Sequence, residues 1–504
     1  MPNIVRQFSK NVFSSWVSLA VRVVLVFLVN PFIIHTLGNS LYGAWMLVFS
    51  IINYLTIFDL GLKQAVVRFV SKFLGLKDFN KINSVLNTSF AVYSLIGIAT
   101  IGVSLIVSYL VLDKFNIPPD ILSQAQLVLL IIGVNVAVNF IMSAWADSLG
   151  AFHRFDVVNG LLIAEDILRN VTIVYLLLNG YGIVSMALSF LGFSILRQII
   201  GAIALKRLFP EIKFSIRFVN RETMKMLYNY GLIGFFISIA WLLIANTDNV
   251  IIGYFFDTSA VAKYAIAGSI IIYLRNLILA VAFPLRPVIS HYDALGRREN
   301  ISIIYSKGTK YLYFITFVIG GAAIFLADDF IKLWLGPGYQ QTADILKILV
   351  LPAALYLPQT IANSVLYGIE KHRNILYLII VEGVLNLGIS LILLKEYGIY
   401  GVAFGTVIPQ VLLYLIVMPK IVQKLLGFGL VEFYKSTFIS IFSALIVSAG
   451  SAYILQRILD INNWPVFFLV VALIAAISLT AGYLIADSDD IKRIFKGTSS
   501  RNIE

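Results

Sequence analysis

The chain has 504 residues, 60% of them hydrophobic and only 13% charged, with a mean hydropathy of +0.91. Soluble domains run nearer ~45–50% apolar and ~25% charged, so the composition excludes an ordinary soluble protein and implies a polytopic membrane protein. The absence of cysteine excludes disulfides, Cys-ligated zinc and thiol nucleophiles, while the formal charge of +12 needs no nucleic acid once its placement is followed along the chain.

About 20 mostly apolar residues, rising ~1.5 Å each, cross the hydrocarbon core. On that criterion hydropathy predicts about fourteen spans. Six fall near 12–34, 41–62, 82–112, 123–149, 158–179 and 183–205, and six more near 228–254, 260–287, 310–327, 343–368, 375–394 and 398–419. A last pair falls near 437–456 and 465–486. The run after the basic start MPNIVRQFSK is too long for a signal h-region and lacks a small-residue cleavage site, so it stays as the first span. Turn chemistry marks breaks at His35-Thr36-Leu37-Gly38-Asn39, Ile117-Pro118-Pro119-Asp120, Asn179-Gly180-Tyr181-Gly182 and Gly336-Pro337-Gly338. Helices are expected, because a barrel would show ~10-residue alternating segments. Four histidines, His35, His153, His291 and His372, show no ligand spacing, and neither a metal nor a cofactor is expected.

Lysine and arginine gather on one side. The even-numbered connections hold Lys63, Arg68, Lys72, Lys77 and Lys81, then Lys206, Arg207, Lys213, Arg217, Arg221 and Lys225, and later Arg297, Arg298, Lys371, Arg373, Lys420 and Lys424. The odd-numbered ones hold Lys114, Lys332, Lys395 and Arg457. This bias predicts cytoplasmic N- and C-termini. The segment Lys206 to Lys225 reads equally as an interfacial strip on the cytoplasmic leaflet or as a plain positive loop.

An internal repeat is visible. Gly150-Ala151-Phe152-His153-Arg154 recurs as Gly368-Ile369-Glu370-Lys371-His372-Arg373, Glu165 recurs as Glu382, and Tyr181-Gly182-Ile183 as Tyr397-Gly398-Ile399, at an offset of 216 to 218. Six spans per copy keep both copies the same way round, which predicts two six-helix lobes related by a pseudo-two-fold along the membrane normal. The expected parts are an N-lobe 1–205, a basic linker 206–227, a C-lobe 228–425, a C-terminal helix pair 426–486 and a cytoplasmic tail 487–504.

Charged residues inside spans are the candidate functional residues. Arg22 stands near the middle of the first span, where a guanidinium costs roughly 2.5 kcal/mol or more and cannot shed its proton. It either faces a wet cavity or pairs with a carboxylate on a neighbouring helix. Arg275, mid-way along the eighth span, likewise has no obvious acid on its own helix, and Arg286 lies between Pro284 and Pro287 at the cytoplasmic mouth of that helix. Arginines suit an anion because the planar fork clamps a phosphate. Glu165 and Arg169 are spaced to pair on one helix face. Asp59 and Arg197 lie towards cytoplasmic ends, where a structural role is favoured. Asp59, Glu165, Asp248 and Glu382 are the candidates for ion coupling or a cavity lining.

Several stretches then carry a resemblance. Leu37-Gly38, Tyr42-Gly43 and Phe58-Asp59-Leu60-Gly61-Leu62 with the basic tail Arg68-Phe69-Val70-Ser71-Lys72 resemble the second span of polysaccharide-biosynthesis flippases. Asp248-Asn249-Val250-Ile251-Ile252-Gly253-Tyr254 with Val261-Ala262-Lys263-Tyr264 resembles the entry to their second lobe, and Trp334-Leu335-Gly336 with Ile345-Leu346 the connection before their tenth span. The chain is similar to the O-antigen and capsule branch of the multidrug/oligosaccharidyl-lipid/polysaccharide exporters. That resemblance implies an all-α MATE-like fold, a central cavity, alternating access and a bacterial inner-membrane location. It implies an undecaprenyl-diphosphate-linked oligosaccharide as cargo, with H+ or Na+ as coupling ion and polysaccharide polymerase and glycosyltransferases as partners. Arg22 matches a first-span arginine that lines the cavity of the related lipid II flippase. A drug/ion antiporter on the same fold is the first alternative, although that branch tends to carry an aspartate in its first span. A membrane glycosyltransferase or polymerase is the second, and it would normally need a nucleotide-sugar domain or a long external loop.

Overall fold

The computed structural model describes the backbone of residues 2–485, and side chains from 13 to 482 except 233, 234 and 237. The expected tail 487–504 and the side chains of Arg6 and Lys10 lie outside the described residues. All regular elements among the described residues are helical. Up to the middle of the chain they are α1 (Pro2–Leu55), α2 (Leu62–Gly75), α3 (Phe79–Ile106), α4 (Pro119–Ala146), α5 (Phe155–Leu178), α6 (Ile183–Leu208) and α7 (Arg221–Phe255). There follow α8 (Thr258–Ala282), α9 (Leu285–Ala294), α10 (Arg298–Leu335), α11 (Gln340–Tyr356), α12 (Thr360–Gly368) and α13 (Arg373–Tyr397). The last are α14 (Ile399–Leu412), α15 (Met418–Leu426), α16 (Leu430–Ile458) and α17 (Trp464–Ile485).

Twelve helices among the described residues are long and apolar enough to cross a membrane. Two features separate this number from the fourteen spans expected. Phe13–Asp59 is one continuous stretch that holds the first two expected spans, and the turn signal between them survives only as a kink at Gly38 (φ 74°, ψ 167°). The fifth, α5, carries Glu165, Asp166 and Arg169 inside its apolar run, too many charges for a run judged on apolarity alone. Proline and π-turn breaks also divide expected spans. Pro284 separates α8 from α9, a 3-10 turn at Leu357–Gln359 separates α11 from α12, and a π-turn at Leu413–Val417 separates α14 from α15.

By packing, the chain divides between Ala265 and Ile266. In the first unit α4 packs on α3 and α6, and α1 packs along α5. An apolar core joins Leu62, Val66 and Val70 of α2 to Ile82, Leu86 and Tyr93 of α3, with Trp145, Leu205 and Leu227. In the second unit α10 packs on α11 and α16, and α13 on α14. Large apolar side chains such as Leu95, Ile98 and Leu178 remain exposed, as the acyl chains of a bilayer require.

The turn that ends the first long helix places Asp59. Leu60 (φ 51°) and Gly61 (φ 73°) are consecutive left-handed residues between the 3-10 turn Thr56–Asp59 and α2. A Cβ on Gly61 would lie 2.0 Å from the carbonyl oxygen of Gly231 on α7, so glycine serves both the dihedral and the close approach. Gly61→Ala is expected to cost more than the ~1–2 kcal/mol of the left-handed penalty alone. The check is the unfolding temperature of the detergent-purified protein, with Gly75→Ala, where the added Cβ meets nothing within 4 Å, as the silent control.

Candidate functional site

On α5, Glu165, Asp166 and Arg169 fall within one helical turn. Arg169 Nη1 donates to Glu165 Oε1 at 2.9 Å, the pair expected from the spacing, and Arg169 Nη2 donates to Asp166 Oδ1 at 2.5 Å. Each acid then uses its second oxygen on another helix. Asp166 Oδ2 accepts from Arg22 Nε of α1 at 2.9 Å, and Glu165 Oε2 lies 2.6 Å from Arg197 Nε of α6. Arg197 continues to Asp147 Oδ1 at 3.3 Å and to Asn139 Oδ1 of α4 at 3.0 Å. Asp147 Oδ2 accepts from Lys63 Nζ of α2 at 2.7 Å.

The result is a chain of alternating sign running Arg22, Asp166, Arg169, Glu165, Arg197, Asp147, Lys63. Its five inner members have side chains no more than 19% exposed, while the terminal cations Arg22 and Lys63 are 45% and 59% exposed. Four cations meet three anions, so one positive charge is left over. Amides support the middle, with Asn139 Nδ2 donating to Ser194 Oγ at 2.8 Å and Gln198 Nε2 to Asn139 Oδ1 at 2.9 Å. The Arg169 guanidinium also lies 4.3 Å over the Phe190 ring.

Of the two settings expected for Arg22, a wet cavity or a carboxylate on a neighbouring helix, the structure supplies the carboxylate. No acid stands within reach on its own helix, and the partner arrives from α5, 144 residues on. Among the described residues only its Nε edge is engaged, and much of the side chain is open. Arg275 on α8 likewise has no acid on its own helix and lies in electrostatic reach of Glu382, Tyr356 and Tyr414 from other elements.

The other candidate acids share a different device, a carboxyl met by a phenol. Tyr93 OH donates to Asp59 Oδ1 at 2.7 Å, Tyr264 OH to Asp248 Oδ2 at 2.6 Å and Tyr414 OH to Glu382 Oε2 at 2.8 Å. Glu382 Oε1 also accepts from Gln410 Nε2 at 3.0 Å. Beside Asp248, a polar seam fastens α7 to α1. Asn53 bonds Asn246 at 3.1 Å, Tyr54 bonds Thr247 at 2.8 Å and Asn249 bonds Ser50 at 3.0 Å. Arg286 is held in a third way. Its guanidinium lies 4.3 Å from both the Phe283 and Tyr367 rings, and among the described residues no carboxylate reaches it. Of the seven candidates, Arg22 and Glu165 thus share one chain, Arg275 and Glu382 share another neighbourhood, and Asp59, Asp248 and Arg286 stand in settings of their own.

Comparison with known proteins places this architecture. Residues 8–293 match the family described as polysaccharide biosynthesis protein. The chain belongs to that family. Residues 235–392 of this polysaccharide biosynthesis protein also match the MatE family, as expected of the multidrug/oligosaccharidyl-lipid/polysaccharide exporter superfamily. The uncharacterized membrane protein EpsK of Bacillus subtilis is 24% identical over 472 residues, 91% of each chain. A putative O-antigen transporter of Shigella flexneri is 20% identical over 387 residues, 74% of this chain and 88% of that one. Among solved structures, the lipid II flippase MurJ in an inward closed conformation superposes with a TM-score of 0.71 at 17% identity, over 97% of this chain and 99% of that one. The MATE-like helical fold expected from sequence is thereby shown.

In this polysaccharide biosynthesis protein Asp166, Asp147 and Lys63 emerge as members of the ion chain that sequence reading had given no role. The one available signal was Arg22 itself, whose missing same-helix acid demanded an acid elsewhere. The chain predicts a stability effect at its centre. Arg197→Ala leaves Glu165 to Arg169 and Asp147 to Lys63 but removes their shared cation, and is expected to destabilise by less than the ~3–5 kcal/mol of a fully unpaired buried charge, whereas Arg197→Lys keeps the charge and loses the fork. Thermal unfolding in detergent should rank wild type above lysine and lysine above alanine.

Proposed function

We propose that this protein flips an undecaprenyl-diphosphate-linked oligosaccharide from the cytoplasmic to the outer leaflet of the bacterial cytoplasmic membrane, by alternating access, for surface polysaccharide synthesis. The observation that carries the reading is the state of Arg22. Asp166 fixes its Nε edge at 2.9 Å, and the side chain is 45% exposed. Its remaining N–H groups are left in the fork that a diphosphate oxygen pair accepts. The surplus positive charge of the ion chain favours an anion at that end. Family membership, the O-antigen transporter among the relatives and the lipid II flippase among the structural neighbours support the same cargo class. Arg275 and Arg286 are proposed as further anion contacts, and the phenol-bonded acids Asp59, Asp248 and Glu382 as the candidates for proton or sodium coupling.

The chain also makes the decisive test cleaner. Removing Arg22 leaves Asp166 still bound to Arg169 at 2.5 Å, so no carboxylate is stranded and the protein should accumulate normally. A lost charge-assisted contact of ~1.5–3 kcal/mol lowers affinity roughly ten- to a hundredfold. Arg22→Ala is therefore expected to cripple glycan export at near-normal abundance, with Arg22→Lys partly active. Normal export by Arg22→Ala at normal abundance would remove Arg22 from the binding site.

The orientation has its own test, made simple by the absence of native cysteine. Asn462→Cys should react with an impermeant maleimide added outside spheroplasts, and Gly497→Cys only after permeabilisation. Labelling of Gly497→Cys from outside would overturn the proposed placement of the termini.

A further inference from the structure

The connection between α6 and α7 is built more firmly than a tether needs. Two asparagines one turn apart on α3 read its backbone as a neighbouring strand would. Asn83 accepts from Lys213 N at 2.8 Å and donates to Glu211 O at 3.1 Å. Asn87 accepts from Ser215 N at 2.9 Å and donates to Lys213 O at 2.8 Å. Further along, Ser84 Oγ donates to Phe218 O at 2.9 Å, and Asn220 N donates to Thr88 Oγ1 at 3.3 Å. Lys206 Nζ closes the near end on the carbonyls of Pro210 at 2.8 Å and Ile212 at 2.5 Å. Asn83, Ser84, Asn87 and Thr88 are all buried, and Ile212 is fully buried beside them.

What this pinned segment presents outward is an apolar tip in a basic ring. Ile216 is 85% exposed and Phe214 53%. Arg207, Lys213, Arg217, Arg221 and Lys225 are exposed around them, against the acids Glu211 and Glu222. A fixed backbone cannot fold Ile216 away from water, so the tip is shaped for a surface that is apolar below and anionic above. A bilayer interface has that layering, and the segment joins two membrane-crossing helices, which sets it at that depth.

We propose that residues Glu211–Asn220 form a preformed docking surface for anionic phospholipid headgroups. Ile216 enters the acyl boundary while Lys213 and Arg217 hold the phosphates. The assignment is independent of the cargo, so it can fail while the flippase reading stands, and the reverse.

The test uses the full-length protein, which has no native cysteine. Ile216→Cys is labelled with an environment-sensitive fluorophore and placed in phosphatidylcholine bilayers containing phosphatidylglycerol. Bromine quencher is carried on the acyl chains of one lipid or the other at equal mole fraction. Brominated phosphatidylglycerol is expected to quench several-fold better than brominated phosphatidylcholine. Replacing Lys213 and Arg217 by glutamine should bring that ratio close to one, since each basic residue near the surface contributes roughly a fivefold preference for anionic lipid. Both substituted side chains are exposed, so unchanged thermal unfolding is the control for folding. Equal quenching by the two lipids, or a fluorophore that reports water and is quenched by neither, overturns the proposal.

Discussion

The first unit depends on one electrostatic fact: an arginine in the hydrocarbon region stays charged and must be answered there. Lysine can shed its proton when buried, but a guanidinium cannot. Arg22, Arg169 and Arg197 therefore each need carboxylate oxygens close by, and they obtain them by sharing. Glu165 and Asp166 each divide their two oxygens between two arginines, which is how two neighbouring acids on α5 serve guanidiniums on three helices. This sharing fixes the rotation of α5 about its own axis. It also ties α5 to α1 and α6, and through Asp147 to the base of α4 and to α2. Packing alone would leave those rotations loosely set, because apolar side chains facing lipid and apolar side chains facing a neighbour differ little in a membrane.

A second polar device, a carboxyl met by a phenol, recurs in the molecule. The three acids Asp59, Asp248 and Glu382 each accept a hydrogen bond from a phenol, and Glu382 accepts a second from the Gln410 amide. The repeat makes the contrast sharper. Glu165 and Glu382 stand at equivalent places in the two sequence copies, yet the first is clamped between Arg169 and Arg197 and the second between Gln410 and Tyr414. The first is held by two guanidiniums, and the second by an amide and a phenol with Arg275 in electrostatic reach.

Membrane class, helical architecture and superfamily were legible in the sequence because each rests on long apolar runs or on local motifs. The pairing of Glu165 with Arg169 was legible for the same reason, since a spacing of four is geometry. The link from Arg22 to Asp166 was not, because 144 residues separate them and only packing decides which face of α5 meets α1. Lys63 sat in an apparent connection and Asp147 at the end of an expected span, and neither position carried a signal of its partner. The span count illustrates a different limit. The charges that make α5 the centre of the first unit are the charges that remove it from a tally based on apolarity. The segment at Lys206 to Lys225 was ambiguous as sequence, since only the backbone bonds to Asn83 and Asn87 distinguish a held surface from a loose loop.

The charge balance of the ion chain bears on how cargo binding and coupling would meet under the proposed function. As it stands the chain has one positive charge over. A diphosphate diester arriving at Arg22 brings two negative charges, which turns a surplus of one into a deficit of one. In a medium of low dielectric that deficit is costly unless a cation or proton accompanies it. Asp59, proposed above as a coupling candidate, lies near Lys63 at the opposite end of the same chain and is bonded by Tyr93 rather than by an arginine. On this reasoning cargo and coupling ion need not touch. Under that proposal the arginines and acids between them would share the field, so that an anion at one end would make the other end more receptive to positive charge.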